Sequence, residues 1–126
     1  IRHSRPDLMA KEAMMPIAAM LKRKNQMENI ELQSALHNAA GAIAYLYRIP
    51  MVEASPATIR KHFIGVSSAG GTKETKLAVV QRCHLLKLMP PCRTSDDQAD
   101  AIAVFDWACH THGKPMAKKL FLFGEK

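Results

Sequence analysis

The sequence lacks the features that identify membrane proteins and disulfide-rich secreted domains. No apolar run approaches the 18 or so residues that a membrane-spanning helix needs, and no charged segment followed by an apolar one opens the chain. The three cysteines, Cys83, Cys92 and Cys109, are an odd number without the spacing of a disulfide framework. We therefore expect reduced thiols in a cytoplasmic protein.

Length and composition predict one folded domain. The chain has 126 residues, of which 48% are hydrophobic, so it can bury a core and is not disordered. Eighteen Lys and Arg against eleven Asp and Glu give a net charge of +7. Such an excess suits a polyanionic partner, most commonly nucleic acid, although basic composition alone is weak evidence. Because the sequence has no initiator Met, we expect it to be a fragment.

The first half of the chain predicts a strand, a long helix and a second strand. A short apolar run between Pro6-Asp7 and Pro16 predicts a buried strand that contains Glu12, whereas residues 17–24 give no clear pattern. Residues 25–47 predict one helix, and 49–54 a second strand. The helix carries an apolar stripe that we expect to be its packing face, next to small residues that allow close approach to a sheet. The stripe consists of Leu32, Leu36, Ala39, Ile43 and Leu46.

The second half predicts three helices. Ser55 is suited to cap the first, with Pro56 at its first position, and Thr72 to cap the second, over residues 73–88. Thr94 or Ser95 precedes the third, which extends to about residue 110 and should be packed on nearly all sides. The whole order predicts an α/β fold.

Asp97 and Asp100 stand three residues apart at the start of this last helix. Three helical residues rotate a side chain by roughly 300°, so both carboxylates lie on one face. Two like charges this close persist when a cation lies between them or one keeps a proton. Alternatively, Asp96 and Asp97 are only first-turn acids at the positive helix end. Zinc is not predicted, because no Cys-x-x-Cys or His-x-x-x-His spacing occurs among the Cys and His residues.

Three stretches together resemble the RuvC-like Holliday junction resolvases of the ribonuclease H-like nuclease superfamily. They are Asp-x-x-Asp-Ala-Ile-Ala-Val at 97–104, the strand at 6–14 that contains Glu12, and the helix at 55–65 followed by a glycine loop and a Lys-rich helix start at 70–76. The resemblance implies that residues 1–113 form the C-terminal part of a ribonuclease H-like domain, without its first three strands. Residues 114–126 would be a basic and apolar extension.

The resemblance also implies a structure-specific endodeoxyribonuclease. Glu12, Asp97 and Asp100 would be its catalytic metal ligands, together with an aspartate missing upstream, and would hold two Mg²⁺ or Mn²⁺ ions. The DNA-contacting side chains would be those of Arg60, Lys61, Lys73 and Lys76. Its substrate would be branched DNA such as a four-way junction, cut by a homodimer. The protein would be cytoplasmic and bacterial or phage-encoded, and the fragment alone should cut weakly or not at all. The competing hypothesis is a non-catalytic, basic nucleic-acid-binding or interaction domain.

Overall fold

The computed structural model describes residues 6–22 and 27–112, and the predicted extension at 114–126 lies outside these ranges. The described residues form a mixed α/β arrangement of two strands and five helices. In chain order the elements are β1 (Met9–Glu12), α1 (Ile17–Lys22), α2 (Met27–Leu46), β2 (Met51–Ala54), α3 (Pro56–Ile64), α4 (Thr72–Leu85) and α5 (Asp96–His112). This confirms the predicted class and adds α1, which the sequence pattern did not reveal. In the described part of the chain, no helix combines the length and apolar character needed to cross a membrane.

The chain divides into two compact units, Ile1–Ser55 and Pro56–Lys126. In the first, β1 and β2 pair in parallel, from Met9 opposite Met51 to Glu12 opposite Ala54. Parallel strands need a long crossover, and here α1 and α2 provide it. The predicted strand containing Glu12 is therefore confirmed, with Glu12 as its last residue, but its four residues are only partly buried rather than buried.

The apolar stripe of α2 faces solvent, so its expected role as the packing face is wrong. Leu36 is 61% exposed and Leu46 is 73% exposed, whereas the buried residues of this helix are Ile30 and Ala44. The inward face carries small residues instead. Gly41 lies against the sheet, where an added Cβ would come 3.6 Å from the Met51 Cε atom of β2. The predicted close approach of the small residues to a sheet is thus confirmed.

The second unit is a three-helix arrangement in which α3, α4 and α5 contact one another. Its buried side chains come from all three helices. They include Ile59 and Phe63 of α3, Val79 and Cys83 of α4, and Ala99, Ala103 and Trp107 of α5. The expectation that α5 is packed on nearly all sides is wrong, because Phe105 is 54% exposed. The two buried alanines let α4 approach closely, and Cys83 Sγ lies 3.9 Å from the Ala99 carbonyl oxygen.

Both ends of α4 differ from the prediction. The N-cap is Gly71, without a side-chain hydrogen bond, and Thr72 is already helical. Thr75 organises the preceding glycine loop instead, since its hydroxyl donates to the Gly71 carbonyl at 2.8 Å and accepts from the Ala69 amide at 3.0 Å. The helix ends at Leu85 rather than at residue 88, because Lys87 adopts a left-handed φ of 56° that stops it.

Candidate functional site

The predicted acidic pair lies at the N-terminal end of α5. Ser95 caps this helix, with its hydroxyl accepting from the Gln98 amide at 3.4 Å, which starts the helix just before the acids. Asp97 is exposed in the first turn, and Asp100 is partly buried one turn later. The prediction that both acids lie on one helix, one turn apart, is confirmed.

Asp100 is the electrostatically unusual member of the pair. Burial raises the pKa of its carboxyl, against the opposing effect of the nearby cations Arg60 and Lys76, and the neighbouring Asp96 and Asp97 raise it further. Its ionised form is thus disfavoured although two positive charges act on it. A further cation bound to a carboxylate in this position would stabilise its ionised form.

Two of the four predicted DNA-contacting residues lie near this acidic end. Arg60 comes from α3 and Lys76 from α4, and both act electrostatically on Asp100. The Lys76 ammonium also forms an ion pair of 3.1 Å with the Asp96 carboxylate, in which both side chains are more than two-fifths exposed. Lys61 and Lys73 are exposed on the same two helices. The three helices of the second unit therefore combine acids and cations: Asp96, Asp97 and Asp100 lie on α5, while Arg60 and Lys76 come from α3 and α4.

Glu12 belongs to the first compact unit. It ends β1, opposite Ala54, and is partly buried. Its neighbour Lys11 forms an ion pair of 3.6 Å with Glu53 of β2 and donates to the His37 carbonyl of α2 at 3.4 Å. The position of Glu12 at a strand end matches the prediction, while its sharing of a metal ion with Asp97 and Asp100 stays a prediction.

The second unit also contains a cluster that the sequence analysis missed: His62 of α3 with Asp106 and His110 of α5. His62 Nε2 lies 2.9 Å from Asp106 Oδ2, and His110 Nδ1 lies 3.6 Å from Asp106 Oδ1. The imidazole centroids are 5.1 Å apart. One possible ligand atom from each residue lies within 4.8 Å of the others. The spacing of Asp106 and His110, one helical turn, is visible in the sequence, but the approach of His62 is not.

Cys83 and Cys109 do not take part in this cluster. Both are buried, and burial raises the pKa of each thiol, with Asp106 contributing in both cases. Thiols in such surroundings are unreactive packing residues.

Comparison of the chain with models of protein families, with curated proteins and with solved structures found no match.

Proposed function

We propose that the chain is part of a metal-dependent, structure-specific endodeoxyribonuclease of the Holliday junction resolvase type. The observation that supports this best is the partly buried Asp100, one turn from Asp97, in surroundings that raise its pKa. An acid that only stabilised the helix start would be expected in the first turn, with its side chain exposed to solvent. Asp100 lies beyond the first turn, where ionisation is disfavoured unless a cation compensates for it.

The donor set fits hard divalent ions. Asp97 and Asp100, with Glu12 as the third acid that the family resemblance implies, offer oxygen atoms alone, which Mg²⁺ and Mn²⁺ prefer. The chemistry that two such ions supply is activation of a water molecule and stabilisation of the departing 3′ oxygen at a DNA phosphate. Asp100 would hold its share of the metal site from a helix fixed by the buried Ala99 and Ala103.

The basic side chains of α3 and α4 suit the DNA backbone. Arg60 and Lys76 lie close enough to Asp100 to affect its charge, so phosphates that they bind would lie near the acids. Lys61 and Lys73 add exposed charge on the same helices. Contacts of this kind release counterions and make binding depend on salt.

The exposed stripe of α2 supports a homodimer. Leu32, Leu36, Ile43 and Leu46 are 40–73% exposed along one helix face. A second copy could cover this stripe, and a twofold dimer would present two equivalent sites to a fourfold-branched, twofold-symmetric junction. The parallel β1–β2 pair with its helical crossover is compatible with the C-terminal part of a ribonuclease H-like domain. In this proposal, the protein is bacterial or phage-encoded and acts in the cytoplasm.

The decisive test substitutes Asp97 and Asp100 separately by Asn in the natural full-length protein, with Asp96→Asn as the matched control. Cleavage of a four-way junction in Mg²⁺ should fall by at least about 100-fold in D97N and D100N. Loss of a residue that only hydrogen-bonds to a metal ligand already reduces activity by up to about 100-fold, and loss of the ligand itself should cost at least as much. Junction binding in Ca²⁺ should persist in both, and D96N should cleave normally. Glu12→Gln should behave like D100N.

The same experiment distinguishes the alternative function. A non-catalytic nucleic-acid-binding domain would keep all its activities in D97N and D100N, because its acids only stabilise the helix start. Unchanged cleavage, or no cleavage by the unsubstituted full-length protein under any divalent ion, refutes the nuclease.

A further inference from the structure

We propose that His62, Asp106 and His110 form a binding site for a transition-metal ion, with Zn²⁺ as the best match, separate from the acidic end of α5. Three side chains of ligand type from two helices place one donor atom each within 4.8 Å of the others. This site does not depend on the proposed nuclease. Asp106 lies six residues after Asp100, which corresponds to about 9 Å along the helix axis.

Packing of α3 on α5 holds the cluster together. Asp106 and His110 are one turn apart on α5, and His62 is on the helix that packs against it. The neighbouring positions Phe63 and Trp107 are both buried, so the backbone on each side of the cluster is anchored. The three ligand side chains themselves are 29%, 25% and 42% exposed, which leaves an entry path for an ion.

The hydrogen bond of His110 fixes which of its two ring nitrogens carries the proton. Its Nδ1 lies 3.0 Å from the main-chain carbonyl oxygen of Asp106, which can only accept, so Nδ1 carries the proton. The lone pair of the neutral ring is then on Nε2. A metal-binding imidazole commonly donates its other N–H to a carbonyl or carboxylate in this way, which fixes the ring.

His62 and Asp106 already lie almost at the separation of two metal ligands. Two atoms bound to one Zn²⁺ at 2.0–2.2 Å with tetrahedral angles are about 3.4 Å apart. The observed distance from His62 Nε2 to Asp106 Oδ2 is 2.9 Å, a hydrogen bond that a bound ion would replace. The pair must open by about 0.5 Å, while the widest pair of donor atoms, which lie within 4.8 Å of each other, must close by up to about 1.4 Å through side-chain rotation.

The donor set selects the class of metal. Two imidazoles and one carboxylate suit Zn²⁺, Co²⁺ or Ni²⁺, whereas Mg²⁺ prefers oxygen ligands alone. Three protein ligands leave the fourth position for water, so the ion would link α3 to α5 and keep an exchangeable site. The competing interpretation is a hydrogen-bonded His–Asp–His cluster that binds no metal.

The first experiment titrates the metal-free full chain with ZnCl₂ and with MgCl₂ by calorimetry and follows thermal unfolding. We expect one Zn²⁺ per chain and a rise in Tm of at least about 5 °C at a free Zn²⁺ concentration of 100 times Kd, without an equal effect of Mg²⁺. His62→Gln, Asp106→Asn and His110→Gln should each weaken Zn²⁺ binding at least tenfold. His112→Gln is the matched control, because His112 lies on the same helix but stacks edge-on against Trp107 with centroids 5.3 Å apart.

X-ray absorption of the unsubstituted chain loaded with one zinc gives a result that does not depend on how the variants fold. We expect nitrogen and oxygen ligands alone, at about 2.0–2.1 Å. A sulfur ligand at about 2.3 Å would assign the zinc to cysteine and overturn the proposal. Absence of Zn²⁺ binding, or equal binding by H62Q and H110Q, would also overturn it.

A further variant separates this proposal from the nuclease. The double substitution of Asp97 and Asp100 by Asn should leave Zn²⁺ binding unchanged, because neither residue belongs to the cluster. A full-length protein that cleaves no DNA but binds zinc refutes the proposed function alone. One that cleaves junctions but binds no zinc refutes the zinc site alone.

Discussion

Substitution of Asp100 by Asn should stabilise the folded chain at neutral pH. Burial disfavours the ionised carboxyl, and Asp96 and Asp97 add repulsion, while Arg60 and Lys76 oppose both effects. The pKa is raised overall, so the destabilising effects exceed the attraction to the two cations. An uncharged amide of the same shape avoids them. Residues that lower the stability of the folded state in this way are typical of functional sites.

The structure sets the size of the gain. Loss of the i,i+3 repulsion between Asp97 and Asp100 contributes about 0.2–0.5 kcal/mol. Attraction to the partly exposed Arg60 and Lys76 is worth no more than about 0–1 kcal/mol per pair and is lost in the variant. Relief of desolvation must exceed that loss, since the net pKa shift is upward. We expect a net stabilisation of up to about 1 kcal/mol, or about 3–5 °C in Tm.

The dependence on pH gives the stricter test. An acid whose pKa is raised in the folded state stabilises the fold in its protonated form. This contribution is complete when the pH is below the ordinary pKa of 3.8, and it is lost as the pH rises through the raised pKa. The advantage of D100N should therefore be absent well below pH 3.8, grow as the pH rises through the raised pKa and be complete at pH 7. The assay is urea unfolding followed by circular dichroism at several pH values. Asp97→Asn is the control and should not stabilise, because Asp97 is exposed in the first turn, where acids are favourable. A D100N chain no more stable than the parent at pH 7 refutes this reasoning.

Three further predictions test the second unit. Arg60→Ala and Lys76→Ala should each reduce the slope of the logarithm of the junction-binding constant against the logarithm of the salt concentration by about 1. Gel shifts across a KCl series measure this slope, and an unchanged slope means that the residue makes no phosphate contact. Phe63→Ala should lower the free energy of unfolding in urea by about 3–5 kcal/mol because Phe63 is buried, and a loss below 1 kcal/mol would contradict the packing described. A maleimide should modify the exposed Cys92 before Cys83, whose pKa burial raises; equal rates would contradict the burial of Cys83.

The sequence predicted β1, α2 and β2 of the first unit, but it missed α1 and assigned the wrong face of α2. Two stripes with the same helical spacing run along this helix, offset by two residues and hence on opposite sides. One is the leucine-rich stripe of the sequence analysis, and the other consists of Ile30, Ser34, His37, Gly41 and Ala44. The second faces the sheet because small residues permit close approach. A rule that ranks faces by hydrophobicity selects the first stripe, and only packing geometry reverses the choice.

The acids of α5 were predictable because their placement is local. Asp97 and Asp100 need only a helix start to share a face, and Ser95 supplies that start. The His62, Asp106 and His110 cluster was not predictable, since His62 is 44 residues before Asp106 in the chain. Its formation depends on how α3 packs against α5, which no pattern within either helix specifies.

The two ends of α5 offer different chemistry from one rigid support. Its first turns present carboxylates alone, near cations from α3 and α4, whereas its last turns combine a carboxylate with imidazoles. Hard ions bind oxygen donors and borderline ions favour nitrogen, so under the two proposals each end would select a different metal without help from the other. The buried Ala99, Ala103 and Trp107 fix the helix between them. Under the proposed zinc site, an ion bound at the histidine end would link α3 to α5 and so help to fix Arg60 of α3 next to Asp100.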